Sequence, residues 1–210
     1  MPTLVVDPDT CRPADLAPAV AWLRAGGVVA MPTDTFYGLA VDPRSPAAVA
    51  AVFDVKGRDA AAALPLVGAS LAQVDAHCGP MTAATRRLAE TYWPGPLSLI
   101  LDAPSAMAAA VHAGARTVAV RVPAQPVARA LAEAAGHVLT ATSANRRGAP
   151  PAADAGALGD LGRDPRVFVV DGGASPGGPP STIVDARGAR PVLVRAGAIA
   201  WERVLESIRG

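Results

Sequence analysis

A single lysine stands in Lys56-Gly57-Arg58, and every other Lys or Arg side chain is an arginine. The two cations differ in kind: lysine is a compact, mobile point charge, and arginine is a rigid planar fork. Placed either side of a glycine, the pair suits a polyphosphate. At the end of a helix the same charges could instead satisfy terminal carbonyls and the helix dipole. Another cation, Arg121, stands in the otherwise apolar run Thr117-Val118-Ala119-Val120-Arg121-Val122-Pro123. Strand periodicity puts Thr117, Ala119 and Arg121 on one face, so Thr117 and Arg121 can reach one ligand. An arginine in such a strand is costly unless paired. A carboxylate gripped by both arms of the fork is its natural partner, supplied by a ligand or equally by a protein Asp or Glu.

Hydroxyls gather at three other places. Pro32-Thr33-Asp34-Thr35-Phe36-Tyr37-Gly38-Leu39 follows a strand and packs two hydroxyls, a carboxylate and a phenol where α/β sheets hold ligands. Capping of a following helix would explain Thr33 or Asp34, but not the whole cluster. Thr140-Ala141-Thr142-Ser143-Ala144-Asn145 carries Ser143 and Asn145 at i, i+2. In extended chain they point to one side and can hold a phosphate or ribose without charge; otherwise they build a turn. Ser181-Thr182 leaves the Gly- and Pro-rich stretch 171–180, with Arg195 further on in Arg195-Ala196-Gly197. That stretch could close over a ligand or be an ordinary connection.

The absent motifs narrow the chemistry. His77, His112 and His137 lack metal-ligand spacing, and Cys11 and Cys78 form no zinc pattern, so no protein-bound metal is expected. There is no Gly-x-Ser-x-Gly elbow, Walker loop or dinucleotide fingerprint. Cations and hydroxyls without a nucleophile suit a reaction whose substrates supply the nucleophile, while the protein positions them and neutralises charge.

The elements that must position these residues follow from pattern. With 210 residues, 51% of them hydrophobic and 18% charged, the chain can bury the core of one domain. A net charge of +1 gives no global field for nucleic acid. No secretion signal and no membrane-length apolar run is present, so a cytoplasmic protein without membrane contact is expected. Strands are expected at 3–6, 28–31, 64–67, 97–101, 117–122, 138–140, 167–170, 182–184 and 192–194. Helices are expected through Leu16, Ala19, Val20 and Leu23 and at 47–55, 82–92, 127–135 and 201–208. Their mixture indicates an α/β domain with a mixed sheet.

Taken in order, the motifs resemble the YrdC-like family of threonylcarbamoyl-AMP synthases. The likeness runs from Gly26-Gly27 to about Gly197. It rests on Pro32 to Leu39, Lys56-Gly57-Arg58, Trp93-Pro94-Gly95-Pro96-Leu97, Val120-Arg121-Val122-Pro123, Thr142-Ser143-Ala144-Asn145, Ser181-Thr182-Ile183 and Arg195-Ala196-Gly197. Each motif is short, but so many in the family's order are hard to produce by chance. The resemblance implies a single YrdC-like domain over residues 1–210, with no separate C-terminal domain. It also implies a twisted mixed sheet flanked by helices, with a concave, positively charged cavity.

The activity implied is condensation of L-threonine, bicarbonate or CO2, and ATP into L-threonylcarbamoyl-AMP and pyrophosphate. A downstream transferase system would use the product to make N6-threonylcarbamoyladenosine in tRNA. Carried over by motif, Thr35, Arg121 and Ser181 would bind L-threonine, with Arg121 on its carboxylate. Lys56, Arg58, Thr117, Ser143, Asn145 and Arg195 would bind ATP, Lys56 and Arg58 serving as the catalytic cations. Mg2+ would arrive on the triphosphate.

The chain departs from the family pattern in places. After Arg58 it runs Asp59-Ala60-Ala61-Ala62-Ala63-Leu64-Pro65-Leu66, longer and more apolar than usual, and Gly68-Ala69 stands where some members carry a histidine. Arg146-Arg147 could add an RNA or triphosphate contact or simply solvate a loop. The alternative function is an RNA-binding module of the same fold without synthase activity, marked by salt-dependent RNA affinity. A carbamoyl-adenylate module of hydrogenase maturation proteins ranks below it, because those carry extra domains and zinc-finger cysteines.

Overall fold

The computed structural model describes residues 2–57 and 62–209. Arg58 and the first residues of the apolar stretch after it lie outside the described residues. The strands are β1 Thr3–Val5, β2 Val28–Met31, β3 Gly38–Ala40, β4 Leu66–Val67, β5 Leu97–Asp102, β6 Thr117–Arg121, β7 Leu139–Thr140, β8 Thr142–Ser143, β9 Val167–Asp171, β10 Thr182–Asp185 and β11 Val192–Arg195. The helices are α1 Ala17–Arg24, α2 Pro46–Lys56, α3 Leu71–His77, α4 Ala83–Tyr92, α5 Ala109–His112, α6 Pro126–Ala135, α7 Asp160–Arg163 and α8 Trp201–Arg209.

The strands form two mixed sheets, ordered β1-β9-β2-β3-β8 and β11-β10-β5-β6-β4-β7. The two meet where β7 of one sheet runs into β8 of the other, with Ala141 as the corner. Cross-links hold that corner: the Thr140 amide donates to Val41 O (3.1 Å), the Val41 amide to Thr140 Oγ1 (2.9 Å), and the Ala141 amide to Pro65 O (2.8 Å). Val28, Ala30 and Leu39 of the first sheet share a buried core with Leu66, Val118 and Val120 of the second. Helices α1 and α6 cover β2 and β9 through Val20, Leu23, Leu131 and Phe168. Helices α4 and α8 cover β5 through Leu88 and Val204. Among the described residues no helix is long and apolar enough to cross a membrane.

Local chemistry explains the element ends nearest the site. Ser45 caps α2 by accepting the Ala48 amide, Pro46 opens the helix, and Gly57 ends it in the left-handed region (φ 61). Residues Pro32–Tyr37 do not start a helix; they lead into β3, which pairs antiparallel with β2. The capping role available to Thr33 or Asp34 is therefore not used there.

Candidate active site

One row of side chains crosses the second sheet. Ile183 on β10 pairs with Arg195 on β11 and with Ser98 on β5. Leu99 on β5 pairs with Val120 on β6, so the next step along puts Ser98 beside Arg121, which pairs with Val67 on β4. All five members of the row line a cavity of about 560 Å³. From the first sheet and the loop before it, Thr35, Gly38 and Ser143 complete the wall. The volume falls within the roughly 300–1,000 Å³ typical of small-molecule sites. Alternation along β6 places Val118 and Val120 in the core, while Ala119 and Arg121 face the cavity.

At one end of the row, Ser181 is buried and its hydroxyl is shared. Ser98 Oγ lies 2.9 Å from Ser181 Oγ, and Arg195 Nη2 donates to Ser181 Oγ (3.0 Å) and Ser181 O (2.7 Å). The Arg195-Ala196-Gly197 turn packs its backbone directly on Pro180–Thr182. A Cβ on Gly197 would stand 2.2 Å from Pro180 O, so only glycine fits. The other edge of this region is held by Trp93 to Leu97, where the Thr182 amide donates to Pro96 O (3.1 Å).

At the other end, Arg121 Nη1 donates to Asp34 Oδ2 at 2.7 Å, with both side chains 11% exposed. The protein thus supplies one carboxylate for this guanidinium. Burial lowers the guanidinium's pKa; the Asp34 charge opposes that and the Arg195 charge adds to it. Burial also lowers the pKa of Arg195. Among the described residues lining the cavity these two cations face no carboxylate. Among the described residues, Asp34 is the one carboxylate bonded to either of these two guanidiniums.

The stretch 171–180 is tied to the loop before β3. Tyr37 is fully buried and its hydroxyl donates to Gly173 O (2.7 Å), with Asp171 Oδ1 at 3.3 Å. Burial and the Asp171 charge push the phenol's pKa far up, keeping it a donor. The Gly177 amide donates to Thr35 O (2.8 Å), which brings Gly178 and Pro180 onto the cavity wall.

Lys56 is 4% exposed at the C-terminal end of α2. Its ammonium donates to Ser143 O, to Asn145 O (3.1 Å) and to Asn145 Oδ1 (3.1 Å). The Ser143 hydroxyl donates to Asn145 Oδ1 (2.6 Å), and the Asn145 amide group donates to Ala149 O (2.7 Å). The lysine and the Ser143–Asn145 segment, far apart in sequence, are one cluster.

Of the residues expected at a site, the cavity brings together Thr35, Arg121, Ser143, Ser181 and Arg195. Lys56 and Asn145 are bonded to Ser143 and are not among the described lining residues. Thr117 lies at the opposite end of β6 from Arg121, outside the described lining, and Arg58 is outside the described residues. Sequence reasoning missed Ser98, although a serine alternating with buried Leu97, Leu99 and Leu101 was a readable signal of a polar group on the other face.

An α/β domain whose two sheets enclose an arginine- and hydroxyl-lined cavity is a small-molecule-binding class. Residues 21–197 match the Sua5/YciO/YrdC family, described as telomere recombination, and the chain belongs to that family. The chain is 36% identical to a threonylcarbamoyl-AMP synthase of Bacillus subtilis, over 95% of this chain and 58% of that protein. It is 37% identical to a threonylcarbamoyl-AMP synthase of Thiobacillus denitrificans, over 79% of this chain and 87% of that protein. The crystal structure of Pyrococcus abyssi Sua5 complexed with L-threonine superposes with a TM-score of 0.90 at 31% identity, covering 99% of this chain and 61% of Sua5. The chain thus spans under two thirds of the B. subtilis protein and of Sua5.

Proposed function

We propose that the chain is a threonylcarbamoyl-AMP synthase that condenses L-threonine, bicarbonate or CO2, and ATP, releasing pyrophosphate. The observation that carries the reading is the single cavity on which Arg121, Arg195, Ser98 and Ser181 converge, in a chain related to proteins of that name. Every reactant apart from CO2 carries negative charge, and the cavity presents guanidiniums and hydroxyls. In the reaction, the threonine amine forms an N–C bond to CO2 and loses a proton, giving a carbamate. A carbamate oxygen then bonds to the α-phosphorus of ATP as the bond to the leaving pyrophosphate breaks.

The chain's residues would position and neutralise. Arg121 takes the threonine carboxylate on donors that Asp34 does not use, with Thr35 and Ser181 as hydroxyl partners. Arg195, Ser143, Asn145, Lys56, Arg58 and Thr117 form the ATP side of the proposal, with Lys56 and Arg58 its catalytic cations. Lys56 acts here at least through the Ser143–Asn145 segment that it ties down. Fixed cations aimed at developing phosphate charge lower the barrier without reorganisation. Water kept from the cavity spares the labile mixed anhydride.

Among the described residues no group of three or more His, Cys, Asp or Glu side chains could hold a metal ion. These residues do not fit a protein-held ion, and Mg2+ would be carried on the ATP phosphates. The product would pass to a cytoplasmic tRNA-modifying transferase system. The test is pyrophosphate release from ATP and bicarbonate with L-threonine, with L-serine, and with neither. Threonine-dependent release is expected, with L-serine slower by about 10-fold or more, the usual worth of a methyl group in a fitted pocket. Release that ignores the amino acid would contradict the reading, and salt-dependent RNA binding without release would favour an RNA-binding module.

A further inference from the structure

We propose that Asp34 is the positioning residue for Arg121, its carboxylate setting which donors of the guanidinium face the cavity. This rests on the reading of Arg121 as the ligand of a substrate carboxylate. Arg121 is on the cavity wall, whereas Asp34 is not among the described residues that line it. The carboxylate therefore holds the guanidinium without itself lining the cavity.

Asp34 is itself held at both oxygens by different elements. Oδ2 takes Arg121 Nη1 from β6 (2.7 Å), and Oδ1 takes the backbone amide of Gln125 (2.6 Å). Gln125 is the N-cap of α6, and its own side-chain oxygen accepts the Val127 amide. Arg129 Nη1 donates to Pro123 O (2.9 Å) and Ala124 O (2.7 Å), clamping the short link between β6 and α6. The carboxylate is thus set in a rigid frame at a helix N-terminus, where negative charge is favoured. A guanidinium has five N–H donors. Among the described residues Asp34 is the only hydrogen-bond partner of the Arg121 side chain, so most of the fork is left for a ligand. Displacement of such a group by about 1 Å can cost on the order of 100-fold in function.

The test is calorimetric titration of L-threonine into the wild-type chain and into Asp34→Asn, with steady-state kinetics beside it. Asparagine keeps the size but cannot accept from both Arg121 and Gln125 without turning a donor toward one of them. The threonine dissociation constant and KM should rise by about 10-fold or more, while KM for ATP stays within about twofold. Asp34→Asn should add nothing to an Arg121→Gln background, because the residue acts through Arg121. Wild-type threonine affinity in Asp34→Asn overturns the proposal. Tighter binding overturns it too, since that is what a carboxylate merely competing for Arg121 would give. If the Asn variant does not fold, Asp34→Glu keeps the ion pair but moves it by a methylene; about fivefold weaker threonine binding is expected, and unchanged binding overturns the proposal. If the wild type neither binds nor uses threonine, the substrate reading fails separately. The crystal structure of Asp34→Asn then decides: a displaced Arg121 guanidinium supports the positioning role, and an unmoved one overturns it.

Discussion

Replacing Lys56 by methionine keeps the length of the side chain and removes its charge and its donors. In the native chain the ammonium reaches Ser143 O, Asn145 O and Asn145 Oδ1 from a position only 4% exposed. Two of these acceptors keep another partner: the Asn145 amide still donates to Ser143 O (3.0 Å), and the Ser143 hydroxyl to Asn145 Oδ1 (2.6 Å). Asn145 O is left alone among the described contacts. One orphaned, partly buried acceptor costs about 1–3 kcal/mol, against a total stability of about 5–15 kcal/mol. Removing a buried charge returns part of that, so a loss of about 2 kcal/mol is expected. At about 2–4 °C per kcal/mol for a domain of this size, Tm should fall by about 4–8 °C. The assay is thermal denaturation of the nucleotide-free wild type and Lys56→Met. A purely ligand-binding lysine would leave that Tm unchanged, so a shift below about 1 °C refutes the structural tie.

Further outcomes follow from the same geometry. Ser98→Ala removes one partner of the Ser181 hydroxyl, and KM for L-threonine should rise about 2–10-fold with little change in Tm. In Gly197→Ala the new Cβ would stand 2.2 Å from Pro180 O and 2.5 Å from the Ser181 carbonyl carbon, so denaturant titration should show a loss of about 1–3 kcal/mol. Burial of His137 lowers its pKa from the ordinary 6.5, the Val138 carbonyl and Asp42 opposing the shift. The unfolded chain then takes up the proton first, so this stabilisation is complete above pH 6.5 and is lost as pH falls through that value toward the lower folded pKa. Tm measured from pH 8 to 5 should drop on the acid side in the wild type and less so in His137→Gln.

The parts of the fold that were legible in sequence are those with long, clear periods. Strand β2 spans Val28–Met31 as expected, and α2, α4, α6 and α8 differ from expectation by only a residue or so at their ends. Strands β3 and β8 were not read, because three and two residues are too short to show alternation; tertiary pairing of Gly38 with Ser143 makes them strands. Helix α3 was missed for a related reason, its single fully buried side chain being Val74. The expected single sheet is divided at Ala141, a corner that no local pattern announces. At the site, the residue types were readable and their partners were not. Arg121 in an apolar strand called for a carboxylate, but only the folded chain brings Asp34 to it. Lys56 reads in sequence as a ligand for phosphate or a cap for its own helix, and only the folded chain shows its bonds to a segment some ninety residues on.

In the proposed reaction one cavity joins the amino acid, the carbon of bicarbonate and AMP. The most direct measurement incubates the chain with ATP, L-threonine and radiolabelled bicarbonate, and follows the label by chromatography with mass detection. The proposed reaction places label in a threonine-containing adenylate, dependent on threonine and lost in Arg121→Gln that keeps its native Tm. Folded wild-type protein that places no label in an adenylate, or equal labelling without threonine, would contradict it.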